Sequence, residues 1–119
     1  MKTIFERVQE LAAQFDPDAV ALEESFVGAD ARTALSVGQA RGAVLVASAL
    51  AGVECAEYAP AVVKQAVCGY GRAEKAQVSR MVQAILSMKT PPASTHASDA
   101  LAVAICHALS PPLLRAIAS

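Results

Sequence analysis

Tryptophan is absent from these 119 residues, and two tyrosines and three phenylalanines are the only aromatics. A core with so few large rings must be filled by small aliphatic side chains, and the 55% apolar content is largely Ala and Val. Cysteine is scarce as well. Cys55, Cys68 and Cys106 are odd in number and lack C-x-x-C spacing, which points to free buried thiols in a reducing cytoplasm. No long apolar run stands out: Ala43 to Val53 is too short and too rich in Ala and Gly for a bilayer, which needs about 20 residues. The opening MKTIFERVQE carries two acids and no apolar stretch, so no signal peptide is expected. The expectation is therefore a cytoplasmic chain with no membrane partner. A net charge of -1 also excludes a surface built as a whole for nucleic acid.

What is present is periodic. Ile4, Phe5, Val8, Leu11, Ala12 and Phe15 share one face of a helix over residues 3–15 that needs a sheet or a partner to cover. Asp16-Pro17-Asp18 ends it, because proline disfavours helix at the residue before it. A β-prone run, AVALEESF from Ala19 to Phe26, follows as a buried strand, closing in Glu23 and Glu24. Asp30 is placed to cap a helix from Ala31 to about Leu50. In it Ala34, Gly38 and Gly42 form a smooth stripe, which suggests close approach by another backbone, either the sheet or a second subunit. Val53 to Tyr58 makes a second strand, parallel to the first if the unit is strand–helix–strand. Helices from Pro60 to about Val67, from Ala73 through Leu86, and from about Thr95 to Leu109 complete an α/β chain of about five helices. The last helix is apolar all round and should be buried. Pro111-Pro112 closes it, so residues 1–110 read as one domain and 111–119 as a tail.

Three features invite chemistry, and each has a plain structural alternative. Glu23 and Glu24 end a strand where open α/β sheets gather ligands, yet they also suit a surface strand end. Lys64, Arg72, Lys75 and Arg80 stand against one acid, Glu74; such a cluster meets phosphates or merely forms a solvated face. His96 and Asp99 lie three apart at the start of the last helix. They are a candidate imidazole–carboxylate metal pair, or residues favoured there by the helix dipole.

ALEESF, LSVGQARG, VKQAVCGYGRAEKAQV and HASDALAVAICH then line up in order. Together they resemble the RuvC family of Holliday-junction resolvases, of the ribonuclease H-like fold, over nearly the whole chain. That resemblance implies an endonuclease that resolves four-way DNA junctions in recombination and repair by symmetric, metal-dependent nicking. It implies Mg2+ as cofactor, with Mn2+ as the other candidate and two ions per active site. Glu23, His96 and Asp99 are implied as metal ligands. Lys64 and Lys75 are implied as catalytic cations near the scissile DNA, binding phosphate and stabilising charge in the transition state, with Arg72 and Arg80 as further DNA contacts. Phe26 is implied to stack on an unpaired base. Gly38 and Gly42 are implied to lie in a homodimer interface, and the branch-migration proteins RuvA and RuvB are the implied partners. His96 stands where the family carries either a second aspartate or a histidine, and the neutral imidazole predicts a shift towards manganese.

One part of the pattern is missing. The family begins with a strand bearing an aspartate, followed by two more strands, whereas this sequence opens in the first helix. The expectation is an N-terminally truncated ribonuclease H-like fold, with the first helix and the strand edge short of cover. A second reading is a catalytically incomplete junction-binding or dimerisation module. A third, a small-molecule-binding α/β fragment, is disfavoured because no glycine-rich phosphate loop follows a strand.

Overall fold

The computed structural model describes residues 2–24 and 30–110. Its elements are α1 (Lys2–Phe15), β1 (Ala19–Glu23), α2 (Ala31–Leu50), β2 (Glu54–Tyr58), α3 (Pro60–Cys68), α4 (Lys75–Ile85) and α5 (Thr95–Leu109). The two strands pair in parallel as one sheet, so the expected α/β architecture with five helices is present. Phe26 and residues 111–119 lie outside the described residues.

The local causes are visible at the element ends. Asp16 takes a left-handed φ of 45° after α1 and donates its N–H to the Ala12 carbonyl, and Pro17 then prevents continuation. The side chain of Asp30 accepts from the Arg32 amide and so caps α2. Gly69, at φ 88°, closes α3 through its N–H to the Gln65 carbonyl, a conformation that L side chains rarely adopt. β1 ends at Glu23; Glu24 is outside the strand but still donates its N–H to the Tyr58 carbonyl at 2.8 Å, and the rest of the expected strand, to Phe26, lies outside the described residues.

The described chain falls into two compact units, Met1–Val20 with Ser25–Ala56, and Ala21–Glu24 with Glu57–Ser119. In the first, α1 packs on α2, but no residue of α1 is buried and Phe15 is 67% exposed. Val8, Leu11, Phe15 and Val44 border an apolar hollow of about 430 Å3 there. Neither Gly38 nor Gly42 approaches another backbone: a Cβ added at either would meet nothing within 4 Å. The expected contact of this stripe with the sheet is not found among the described residues; Gly42 instead borders a shallow hollow with Lys2 and Phe5 of α1. Among the described helices, α2 is long and apolar enough by length and composition to cross a membrane. Arg41 near its middle would cost about 2.5–3.5 kcal/mol there on insertion scales.

In the second unit, α3, α4 and α5 pack on one another. The core is small and aliphatic: Val63, Val67, Val78, Val82, Ala102, Val103 and Ile105 are buried, with Cys106 among them. α5 is less enclosed than its composition suggests, since Ala100, Ala104 and Ala108 are exposed and only one face is covered. None of the three cysteines forms a disulfide, but only Cys106 is buried; Cys55 and Cys68 are half-buried. Tyr58, 6% exposed at the end of β2, bonds through its hydroxyl to His107 Nδ1 at 2.5 Å, and the rings meet edge-on. A hydrogen bond of this kind contributes about 1 kcal/mol net and ties the strand end to α5.

Candidate active site

Glu23 is the last residue of β1, and its side chain is only half-buried. Its carboxyl is nonetheless held above the ordinary value of 4.5, first by burial and then by the nearby negative charge of Asp99. Lys64 from α3 and Lys75 from the first turn of α4 pull in the opposite direction. Four side chains distant in sequence thus act on one another at one place in the second unit: two carboxylates and two ammonium groups. Burial and the second acid outweigh the two cations, so Glu23 takes up its negative charge less readily than a free carboxyl.

Asp99 comes from the first turns of α5, whose start is fixed by Ser94. The Ser94 hydroxyl oxygen accepts from the Ala97 amide at 3.0 Å. His96, one turn earlier on the same helix, is exposed and is not among the groups acting on Glu23. Among the described residues, no three of the His, Cys, Asp and Glu side chains gather closely enough to hold a metal. Arg72 and Arg80 are exposed beside and on α4 and do not act on Glu23. Glu24 is exposed, consistent with a structural part.

The sequence reading missed a polar cavity of about 280 Å3 beside Asp99, to which Lys75, Ser79, Ser94, Thr95 and Ser98 contribute. Hydroxyl residues near helix starts are ordinary caps, so nothing in their spacing separates a cavity wall from a cap.

The family model for crossover junction endodeoxyribonuclease RuvC matches residues 1–107. The chain belongs to the RuvC family. RuvC of Moorella thermoacetica is 50% identical over 108 residues, 91% of this chain and 65% of the relative. RuvC of Halorhodospira halophila is 54% identical over 105 residues, 88% of this chain and 62% of the relative. Thermus thermophilus RuvC superimposes with a TM-score of 0.83 at 47% identity, covering 90% of this chain and 64% of the other. The same protein in complex with Holliday junction substrate gives 0.86 at 47% identity, covering 90% and 65%. The chain thus spans roughly 60–65% of the length of several RuvC relatives that it matches.

The strain on Glu23 has a measurable sign. A carboxyl whose folded pKa lies above its unfolded value favours folding at low pH, and that contribution is lost as pH rises through the folded pKa. Glu23→Gln, which cannot ionise, should therefore raise the thermal midpoint at pH 7 without divalent cations. The gain over wild type should shrink to nothing below pH 4.5. Thermal melts from pH 3 to 8 test this; a substitution that destabilises equally at every pH contradicts it.

Proposed function

We propose that the chain provides the active-site core of a structure-selective endonuclease that resolves four-way DNA junctions. The observation that supports this most is the convergence of Glu23 and Asp99 with Lys64 and Lys75. A carboxylate whose ionisation is opposed by burial and by a neighbouring acid suits a hard divalent cation, since magnesium is held by one or two carboxylates together with phosphate oxygens and water. Glu23 and Asp99 would hold it, with His96 as the remaining candidate ligand. When bound, the cation supplies Lewis-acid stabilisation of phosphoryl oxygens. Lys64 and Lys75 bind the phosphate and offset charge that grows on it during in-line displacement. Phe26 is proposed to stack on a base next to the cut, and Arg72 and Arg80 to hold flanking phosphates.

A single such site cuts one strand. Symmetric nicking asks for two, and α2 offers the means to pair them. Leu35 and Val46 are 63% and 52% exposed and share a face with Gly38 and Gly42, with open space above both glycines. An exposed apolar seam with two glycines lets a second α2 approach closely. We therefore assign a homodimer through this face, acting in the cytoplasm alongside a branch-migration complex of the RuvA and RuvB kind.

A second reading is favoured by one observation. Only two carboxylates meet among the described residues, and no third ligand joins them. On that reading the 119 residues bind junctions but do not cut.

Two experiments decide these points. With a labelled four-way junction in magnesium, the enzyme reading expects paired nicks that Glu23→Gln reduces by roughly 10²-fold or more while binding stays within about twofold. Binding without any metal-dependent nick in the wild type would establish the module instead. For assembly, Gly42→Leu should convert a dimer to a monomer by light scattering on a sizing column. An unchanged mass would remove α2 as the interface.

A further inference from the structure

Tyr70 is a large ring left at the surface by a chain that has only two tyrosines, three phenylalanines and no tryptophan. It is 46% exposed, so the core gains little from it. It stands on the short connector between α3 and α4, and that connector is held at each of its first residues. The Gly69 N–H donates to the Gln65 carbonyl at 2.9 Å, and Gln65 Nε2 donates in return to the Gly69 carbonyl at 3.0 Å. Gly71 lies against the first turn of α3, where an added Cβ would meet the Ala61 carbonyl oxygen at 3.4 Å. The Tyr70 hydroxyl donates to the side-chain oxygen of Gln77 on α4. A ring fixed through both its backbone and its hydroxyl has little freedom left to lose when a ligand settles on it.

The charges around the ring select the kind of ligand. Arg72, two residues on, is exposed, and Arg80 lies three residues beyond Gln77, on the same face of α4. Glu74 is the one acid between Lys64 and Arg80. Lys75, two residues before Gln77, projects from a different side of the helix. The ring and the lysine that acts on Glu23 therefore occupy different faces of α4. A flat aromatic face with guanidinium groups on its own side suits a nucleobase with its flanking phosphates. A purely anionic ligand would use the arginines and leave the ring idle.

We propose that Tyr70 is a stacking platform for one unpaired nucleobase, held in place by Gln77 and the Gln65–Gly69 clasp. Stacking reads no sequence, since every base has a π-face, but it needs a base whose face is free. A base inside an intact duplex offers none. The platform thus favours DNA with splayed or single-stranded nucleotides, a preference that groups meeting only phosphate do not supply. Tyr70 adds a second ring to the one proposed at Phe26. Its placement beside the cut strand rests on the junction-nuclease reading above.

The test compares binding of the whole chain, without divalent cations, to a short single-stranded oligonucleotide and to the same sequence as duplex. Tyr70→Leu should weaken oligonucleotide binding at least about fivefold and leave duplex binding within about twofold. Tyr70→Phe keeps the ring on a backbone still clasped by Gln65, and should stay within about twofold of wild type on both. With no tryptophan in the chain, tyrosine emission reports the contact directly. The oligonucleotide should quench it in wild type, the duplex should not, and Tyr70→Leu, which retains Tyr58, should show no quenching. Equal losses in Tyr70→Phe and Tyr70→Leu would assign the effect to the hydroxyl tether and overturn the platform. Unchanged oligonucleotide affinity in Tyr70→Leu, or an equal loss on duplex, would overturn it too. Junction cleavage by wild type that Glu23→Gln abolishes, alongside any of those results, would leave the nuclease reading standing. A wild-type chain that binds neither DNA would remove both.

Discussion

A half-buried carboxylate held next to a second acid is the constraint on which the rest of the second unit depends. Glu23 ends β1 under partial desolvation with Asp99 as a neighbour, and both conditions oppose its ionisation. Lys64 and Lys75 relieve part of that opposition without cancelling it. A fold optimised for stability alone would place an amide at this position. Retaining the acid makes the site a place where added positive charge is favourable, which is the electrostatic form of a cation or phosphate-bridging centre.

The secondary structure serves that placement with ordinary devices. The Tyr58–His107 bond fixes the strand end against α5, and the Ser94 cap sets where α5 begins, hence where Asp99 stands. The left-handed turn at Gly69 ends α3 just after Lys64, and α4 opens with Lys75. Each basic residue therefore sits on a regular helix rather than on a mobile loop, and the small Val and Ala core lets the three helices approach closely. A core of bulkier side chains would move the helix axes apart and loosen the charge cluster.

Much of this was legible in the sequence where a local cause existed. α2 and α5 were read with the bounds they have, because Asp30 is a strong cap for α2 and Pro111-Pro112 marks where α5 must have ended. The strand reading included Glu24, which lies just outside β1, since β-propensity does not register where a strand ends. Glu23, Asp99, Lys64 and Lys75 were legible through family resemblance, not through spacing: nothing local to any one of them predicts the other three. The stripe at Gly38 and Gly42 announced a close approach but not its partner, and among the described residues none is found. The Ser98 cavity was not legible at all, because it exists only once two helix starts are brought together.

The central claim is that Glu23 is kept from easy ionisation by burial and by Asp99, and that a divalent cation relieves this. The direct measurement is the pH titration of the Glu23 side-chain carboxyl carbon by NMR, in wild type and Asp99→Asn, with and without magnesium. The account predicts a wild-type pKa above 4.5, a lower one in Asp99→Asn, and a marked fall on adding magnesium to the wild type only. An ordinary pKa that neither Asp99→Asn nor magnesium moves would contradict it.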